Sequence, residues 1–507
     1  MRVFSLLTDS IHSGFVEVEY HSRFQIPAFQ ILGLPAPEIQ EAKERIMAAF
    51  ASAEVEFPKK RVIINLAPAS IKKSGTGHDL AIALKIVFET LEQELSDSLI
   101  AWGELSLMGE VKSVGRMAGL ITQLLKHYPE STPLLYLTSK DCADLETLLS
   151  WREFHQLPNP KNLRVKVVQN LKDALDPVEP IALTIKPYQP EGVRPDRNDL
   201  LALSKSAERI LKISLVGKHH VLLLGPKGIG KSESIRWYQA LLPDSEPAQT
   251  WDRIVVSENK DIPFDFKSPV RRVHAQVRPA HLLGSFREKG YQPGELALAH
   301  GGLFIADEFM EWPRDSKETL REPLQTQKIF LTRVRGQIEC EASFQMIATG
   351  NLCPCGGLPE PFRGNTEIPS KKFKCKCKLV DVESYFQKLS GPVLDRIDLS
   401  FIMTDTETVR VGPDHPTKLE KEIKIARAFA LEHFGAVPSM LSPQWLEQET
   451  MKNPALNALL TDVTSLRARH KIMRVARSIQ AIENSPSLKE EHVFEAKWYR
   501  LQSVGSG

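Results

Sequence analysis

Residues 225–232 read Gly-Pro-Lys-Gly-Ile-Gly-Lys-Ser and fill every fixed position of the pattern G-x-x-x-x-G-K-[ST]. The apolar run Val221-Leu222-Leu223-Leu224 precedes them, and residues 233–242, which can be a helix, follow. No other segment constrains the fold so strongly. It demands a buried strand, a tight loop and a helix N-terminus in succession, the repeating unit of a doubly wound α/β sheet. Glycines let the loop backbone curl so that its N–H groups converge on an anion, and the helix N-terminus adds its dipole. Gly225, Pro226, Lys227, Gly228, Ile229 and Gly230 are therefore expected to cradle the phosphates of ATP. Lys231 is expected to reach the β- and γ-phosphates and Ser232 to ligate Mg²⁺.

Two further strand tips fit the same cleft. Gly302-Leu303-Phe304-Ile305-Ala306 is apolar and ends in Asp307-Glu308. An Asp at such a tip positions Mg²⁺ or its water, and a neighbouring Glu can polarise the attacking water. Alone the pair would be weak, because strands often end in acids; following a good phosphate loop it is strong. Residues 344–349 form another strand pattern, ending at Gly350-Asn351. Asn351 can orient the water beside the γ-phosphate, or simply cap a turn.

The 507 residues suffice for about three domains of ~150 residues each. At 42% hydrophobic and 25% charged, the composition is that of an ordinary globular protein. A net charge of +2 supplies no overall field to attract nucleic acid or a membrane, so any basic surface is local. The N-terminus lacks a charged start followed by a sustained apolar stretch, and no apolar run approaches the ~20 residues of a membrane span. A cytoplasmic location without a membrane partner is expected.

Residues 1–178 alternate between strand patterns at 16–20 and 61–66 and helical patterns at 37–50 and 78–91, which predicts an α/β or α+β domain. Pro187, Pro190, Gly192 and Pro195 suit a linker over 179–197, or a loop inside one domain. Residues 198–405 carry the nucleotide-binding pattern. Residues 406–507 are helix-rich with amphipathic spacing, which fits a helical lid.

Of six cysteines, Cys353, Cys355, Cys375 and Cys377 crowd into one short segment, while Cys142 and Cys340 stand apart. In a reducing compartment such a cluster suits a metal better than a disulfide framework. Four thiolates match a closed tetrahedral Zn²⁺ site, although C-x-C spacing is less diagnostic than C-x-x-C. A zinc insert over 351–380 is expected; free or redox-active thiols are the alternative.

Motifs spread along the chain resemble one family. They include residues 26–35 (IPAFQILGLP), 57–61 (FPKKR), 65–69 (NLAPA), 103–107 (GELSL), 293–295 (PGE), 353–356 (CPCG) and 390–399 (SGPVLDRIDL). Together they resemble the ComM/YifB group of magnesium-chelatase-like AAA+ ATPases over roughly residues 1–500. The resemblance implies an N-terminal Lon-protease-like α+β domain, a central P-loop AAA+ domain with magnesium-chelatase-type insertions, and a C-terminal helical lid. It implies a homo-oligomeric ring, a hexamer, with each ATP between subunits. Arg396 would be the arginine finger, suited by its fixed charge to transition-state oxygens, and Arg467 resembles the lid's sensor arginine. An insertion near 271–294 and a hairpin near 328–340 would face the ring pore. The hairpin carries Lys328, Arg333 and Arg335 around Gly336, a tip for tracking phosphates or a merely solvated face.

Departures from the family pattern spare the fixed positions of the ATPase motifs, although Lys227 and Ile229 replace the usual Pro and Thr or Ser inside the phosphate loop. The insertion reads Arg271-Arg272-Val273-His274-Ala275-Gln276 where paired histidines are usual, Gly284-Ser285 stands for paired glycines, and Asn198-Asp199-Leu200 replaces an Arg-Gly-Gln run. A Lon-type protease needs a Ser nucleophile and a Lys base; here Gly77 occupies the nucleophile's place, with Ser74 and Lys112 only irregular substitutes. The resemblance thus implies an ATP-hydrolysing DNA motor, a helicase or branch-migration translocase acting on branched or single-stranded DNA in recombination and natural transformation. The alternative is a chelatase-type remodeller of a protein partner.

Overall fold

The computed structural model describes residues 2–7, 14–73, 75–92, 98–128, 133–176, 181–183, 185, 187, 200–257, 268–287, 290–333, 336–357, 359, 374–389, 391–404, 414–463 and 465–500. Of the linker expected at 179–197 only residues 181–183, 185 and 187 are described, and Ile181–Ala182 belong to the first sheet rather than to a linker; Ser74, Asn198, Asp199, Arg335 and much of the 351–380 insert lie outside the described residues.

The first third of the chain builds strands β1 (Val3–Leu7), β2 (Gly14–Arg23), β3 (Ala28–Leu32), β4 (Arg61–Ala67), β5 (Leu99–Ala101), β6 (Glu104–Leu105), β7 (Val111–Lys112), β8 (Leu134–Leu137), β9 (Arg164–Val167) and β10 (Ile181–Ala182). Eight of them form one mixed sheet in the order β10-β9-β8-β5-β1-β2-β4-β3, and β6 and β7 pair as a separate ribbon. The sequence Arg-Val-Ile-Ile-Asn-Leu-Ala in β4 buries Val62, Ile64 and Leu66 and leaves the alternate positions half-open, the period-two pattern of a sheet with one packed face. Helix Pro37–Ser52 starts on a proline, whose missing N–H costs nothing in a first turn. Ile39, Ala42, Ile46 and Ala49 line its buried side.

Beyond residue 200 the chain forms a second sheet, from β11 (Val221–Leu224), β12 (Val270–Val273), β15 (Leu303–Ala306), β18 (Gln345–Gly350) and β19 (Leu399–Ile402). All neighbours are parallel, in the order β12-β15-β18-β11-β19. The strand carrying the glycine loop therefore runs inside the sheet. That position explains why Val-Leu-Leu-Leu is apolar at every residue rather than alternately. Two hairpins, β13 (Gly284–Arg287) with β14 (Gly290–Pro293) and β16 (Lys328–Arg333) with β17 (Gly336–Glu341), project from the insertions between strands.

The C-terminal part is helical, with long helices at His415–Phe434 and Leu466–Ile482. Its Ile423, Phe429, Ile472 and Ile479 share one core with Ile210 and Ile213 of helix Lys205–Gly217 and with Trp237 of the helix that follows the glycine loop. The first sheet is tied to the second through helix Pro247–Val256. There Trp251 stacks on Trp151, ring centres 6.2 Å apart, and the Arg152 guanidinium lies 4.1 Å from the Trp251 ring centre. Among the described residues no helix is long and apolar enough to cross a membrane.

Candidate nucleotide site

The carboxyl ends of β11, β15 and β18 open into a cleft of about 620 Å³, where an open parallel sheet is expected to take its ligand. Lys227, Gly228, Gly230, Lys231, Ser232, Asp307, Glu308, Thr349 and Asn351 line it. Gly228 and Gly230 have φ of +79° and +107°, a backbone that side-chain-bearing residues avoid. The loop hands over directly to helix Lys231–Leu241. The Lys231 ammonium donates to the carbonyls of Gly225 (2.6 Å) and Pro226 (3.0 Å) and to Asn351 Oδ1 (3.2 Å). Burial pushes its pKa down to about 8, against the attraction of Asp307.

The acid pair is held by a residue that the sequence pattern does not single out. The Thr349 hydroxyl donates to Asp307 Oδ1 (2.6 Å) and accepts the Glu308 backbone N–H (3.1 Å). Glu308 takes a left-handed backbone, φ 50° and ψ 40°, unusual for a residue with a side chain, which turns the chain sharply at the strand tip. The other oxygen, Asp307 Oδ2, accepts from Arg272 Nε (3.2 Å) and Nη2 on β12, with His274 Nδ1 at 3.5 Å. Burial works against the Asp307 charge, but Thr349 and Arg272 outweigh it and hold the carboxyl below its ordinary pKa. Asp307 is thus an anion at neutral pH, the form in which a carboxylate can bind a metal ion.

Arg396 and Arg467 do not line this cleft. They meet elsewhere, at Gln325 Oε1, which accepts from Arg396 Nη2 (2.5 Å) and Arg467 Nη2 (3.5 Å). Burial and the nearby Arg467 and Arg321 guanidinium groups lower the Arg396 pKa. The Arg396 segment is anchored to the strand carrying the glycine loop, since His220 N–H donates to Asp398 Oδ2 (3.0 Å) and Asp398 N–H to the His220 carbonyl (3.1 Å). Lys471, on helix Leu466–Ile482, donates to the carbonyls of Leu394 (3.3 Å) and Ile397 (2.7 Å).

The four clustered cysteines converge. Cys353 Sγ lies 3.3 Å from Cys355 Sγ and 3.5 Å from Cys375 Sγ, Cys355 lies 3.7 Å from Cys375, and all four sulfurs fall within 4.8 Å of one another. A tetrahedron of ~2.3 Å zinc–sulfur bonds has edges of about 3.8 Å, so the donor set fits a zinc-class ion. Cys142 and Cys340 are buried apart from it.

One expectation needs correction in detail. Lys328 is at the base of its hairpin, paired with Glu341 in register, and its ammonium binds Glu339 (2.6 Å) and Glu341 (3.4 Å). Acids on the facing strand neutralise it, so it is not part of a basic tip. Gly77 has no room for a nucleophile: a Cβ there would lie 2.4 Å from Trp102 Cη2.

A five-stranded parallel sheet with a glycine loop, an acid pair and a polar strand tip around one cleft defines a P-loop nucleotide-binding protein. Residues 199–411 match the family described as magnesium chelatase, subunit ChlI; residues 16–130 match subunit ChlI of Mg-chelatase; and residues 415–500 match its C-terminal family. Competence protein ComM of Haemophilus influenzae is 26% identical, the alignment covering 98% of this chain and 97% of that protein. The uncharacterized protein YifB of Escherichia coli is 28% identical over 96% of this chain and 94% of its own length. The chain belongs to the ComM/YifB family of magnesium-chelatase-like proteins, an AAA+ type of family.

Proposed function

We propose that this protein hydrolyses ATP and uses the energy to drive a hexameric ring along branched or single-stranded DNA, as a helicase or branch-migration translocase in natural transformation. The observation that carries the reading is the convergence of Lys231, Ser232, Asp307, Glu308 and Asn351 on one cleft. End-to-end similarity to a protein named for competence supplies the biological setting. On this reading residues 1–178 form a Lon-like domain without a nucleophile, 198–405 the AAA+ core and 406–507 the lid.

The loop N–H groups and the Lys231 ammonium bind the triphosphate. Ser232 and Asp307 would hold the accompanying Mg²⁺, which supplies charge neutralisation at the phosphates. Glu308 accepts the proton of the attacking water, and Asn351 orients that water. Arg396, outside its own chain's cleft, would reach the neighbouring subunit's γ-phosphate, with Arg467 beside it. Because helix Leu466–Ile482 holds the Arg396 segment through Lys471, a turn of the lid would carry the finger with it.

The test is ATPase rate with no DNA, single strands, duplex and four-way junctions, together with junction movement and oligomer mass with and without ATP. Stimulation by junctions and ATP-dependent movement, both lost in Lys231→Ala, are expected. Wild-type protein that neither binds DNA nor moves junctions refutes the motor reading. The magnesium-chelatase descriptions of all three matched segments favour one second reading, a chelatase-type remodeller. Stimulation by a protein partner and not by DNA would establish that instead.

A further inference from the structure

We propose that the four-cysteine knuckle is a clamp on the glycine loop, so that its occupancy by a zinc-class metal ion sets the affinity of the nucleotide site. The inference rests on the nucleotide reading above and concerns regulation of that same site.

The chain leaving β18 grips the loop at three points in quick succession. The Gly350 carbonyl accepts the N–H of Gly225 at 3.2 Å. Asn351 Oδ1 accepts from Lys231 at 3.2 Å. The Gly356 carbonyl accepts the N–H of Lys227 at 2.9 Å. The last contact is made inside the knuckle. Gly356 directly follows Cys355, donates its own N–H to the Cys353 carbonyl at 3.0 Å, and has φ of +74°. The Lys227 stem crosses Gly356 so closely that a Cβ there would lie 2.8 Å from three of its carbons.

Between Gly350 and Gly356 there is no helix or strand to fix this path. Of this stretch Leu352, Cys353 and Gly356 are buried, Asn351 is half-buried, and Pro354 and Cys355 are exposed. What shapes the exposed part is the closure of Cys353 and Cys355 onto Cys375 and Cys377, at the other end of the same short segment. A short segment without a core of its own gains its order from such a metal staple. Without the ion, the sulfurs part and Gly356 is free to leave Lys227. The loop then loses the backbone contact that fixes its middle, and the phosphate-facing N–H groups no longer start in their binding arrangement. Preorganisation of that kind is what keeps an anion site tight.

The experiment measures metal content by elemental analysis and binding of a fluorescent N-methylanthraniloyl ATP by the full chain, with circular dichroism as the folding control. Cys375→Ser is expected to lose the metal and weaken nucleotide binding at least about tenfold. Gly356→Ala is expected to keep the metal and still weaken binding by a similar factor, because only the contact is broken. Cys142→Ser, far from the cluster, is expected to change neither. Should Cys375→Ser misfold, wild-type protein stripped by a chelator under reducing conditions and then given zinc back decides the matter. Binding that falls and recovers supports the clamp. Metal-free protein with wild-type affinity overturns it, as does wild-type protein that neither contains nor takes up zinc. Wild-type protein that holds zinc but binds no nucleotide would instead sink the nucleotide reading, and the clamp with it.

Discussion

Replacing Thr349 by valine should disable hydrolysis while leaving nucleotide binding nearly intact. The side chain is 2% exposed, and valine keeps its shape, so the change deletes an oxygen and little else. That oxygen donates to Asp307 Oδ1 at 2.6 Å and accepts the Glu308 N–H at 3.1 Å. The bond to a carboxylate contributes about 1.5–3 kcal/mol, and losing the part-buried Glu308 N–H bond costs about 0.5–1.5 kcal/mol more. Glu308 sits in a left-handed conformation that costs a non-glycine residue about 1–2 kcal/mol, a cost its N–H bond helps to offset. Once the bond is gone, Glu308 relaxes toward negative φ and its carboxylate swings away from the cleft. Misplacement of a catalytic group by about 1 Å can cost 100-fold in rate, so kcat should fall by about that factor. The Kd for ATP should stay within about threefold, because Lys231 is held by Gly225, Pro226 and Asn351 rather than by the Thr349 hydroxyl. A coupled ATPase assay and titration with a fluorescent ATP analogue separate the two quantities. A kcat within about twofold of wild type would refute the claim that Thr349 positions the acid pair.

Other outcomes follow from the same geometry. ATP affinity should decline above pH ~8, by no more than tenfold per pH unit, because Lys231 titrates near 8 and only its charged form attracts phosphate. For the nucleotide-free protein the sign is opposite: the unfolded chain holds that proton up to the ordinary lysine value, so Lys231 adds stability as pH rises through 8 toward ~10.4, visible in melting curves against pH. Gly77→Ser should lower stability by about 1–3 kcal/mol in denaturant unfolding, since its Cβ would lie 2.4 Å from Trp102 Cη2, and should yield no peptidase. Arg396→Ala should bind ATP normally yet lower the ATPase rate of wild-type subunits when mixed with them, as a residue acting across a subunit boundary must; rates that simply average would place Arg396 outside the neighbour's site.

Features set by neighbouring residues were legible along the chain. The glycine loop, the apolar strand before it and the helix after it form one local unit, and the strands ending at Asp307 and Asn351 reveal themselves by apolar runs with polar tips. The close cysteine pairs likewise announced a metal-sized cluster. Strand order was not legible, because no local pattern says that β18 lies between β15 and β11. That order alone brings Thr349 against Asp307, and the same sheet places Arg272 on the far oxygen. Arg396 and Arg467 were visible as residues, but only the packing of helix Leu466–Ile482 sets them together at Gln325 and away from their own cleft.

The sequence by itself therefore determined the phosphate-loop motif, because such a loop is written in consecutive residues whose backbone preferences and charges need no partner. The tertiary structure decided everything that depends on residues far apart in the chain. It filled the space at Gly77 with Trp102, neutralised Lys328 with acids on the facing strand, and seated Gly356 of the cysteine knuckle on Lys227 of the loop. Such contacts arise when the sheets, helices and hairpins pack into one volume, and packing depends on shape across the whole chain rather than on any local pattern.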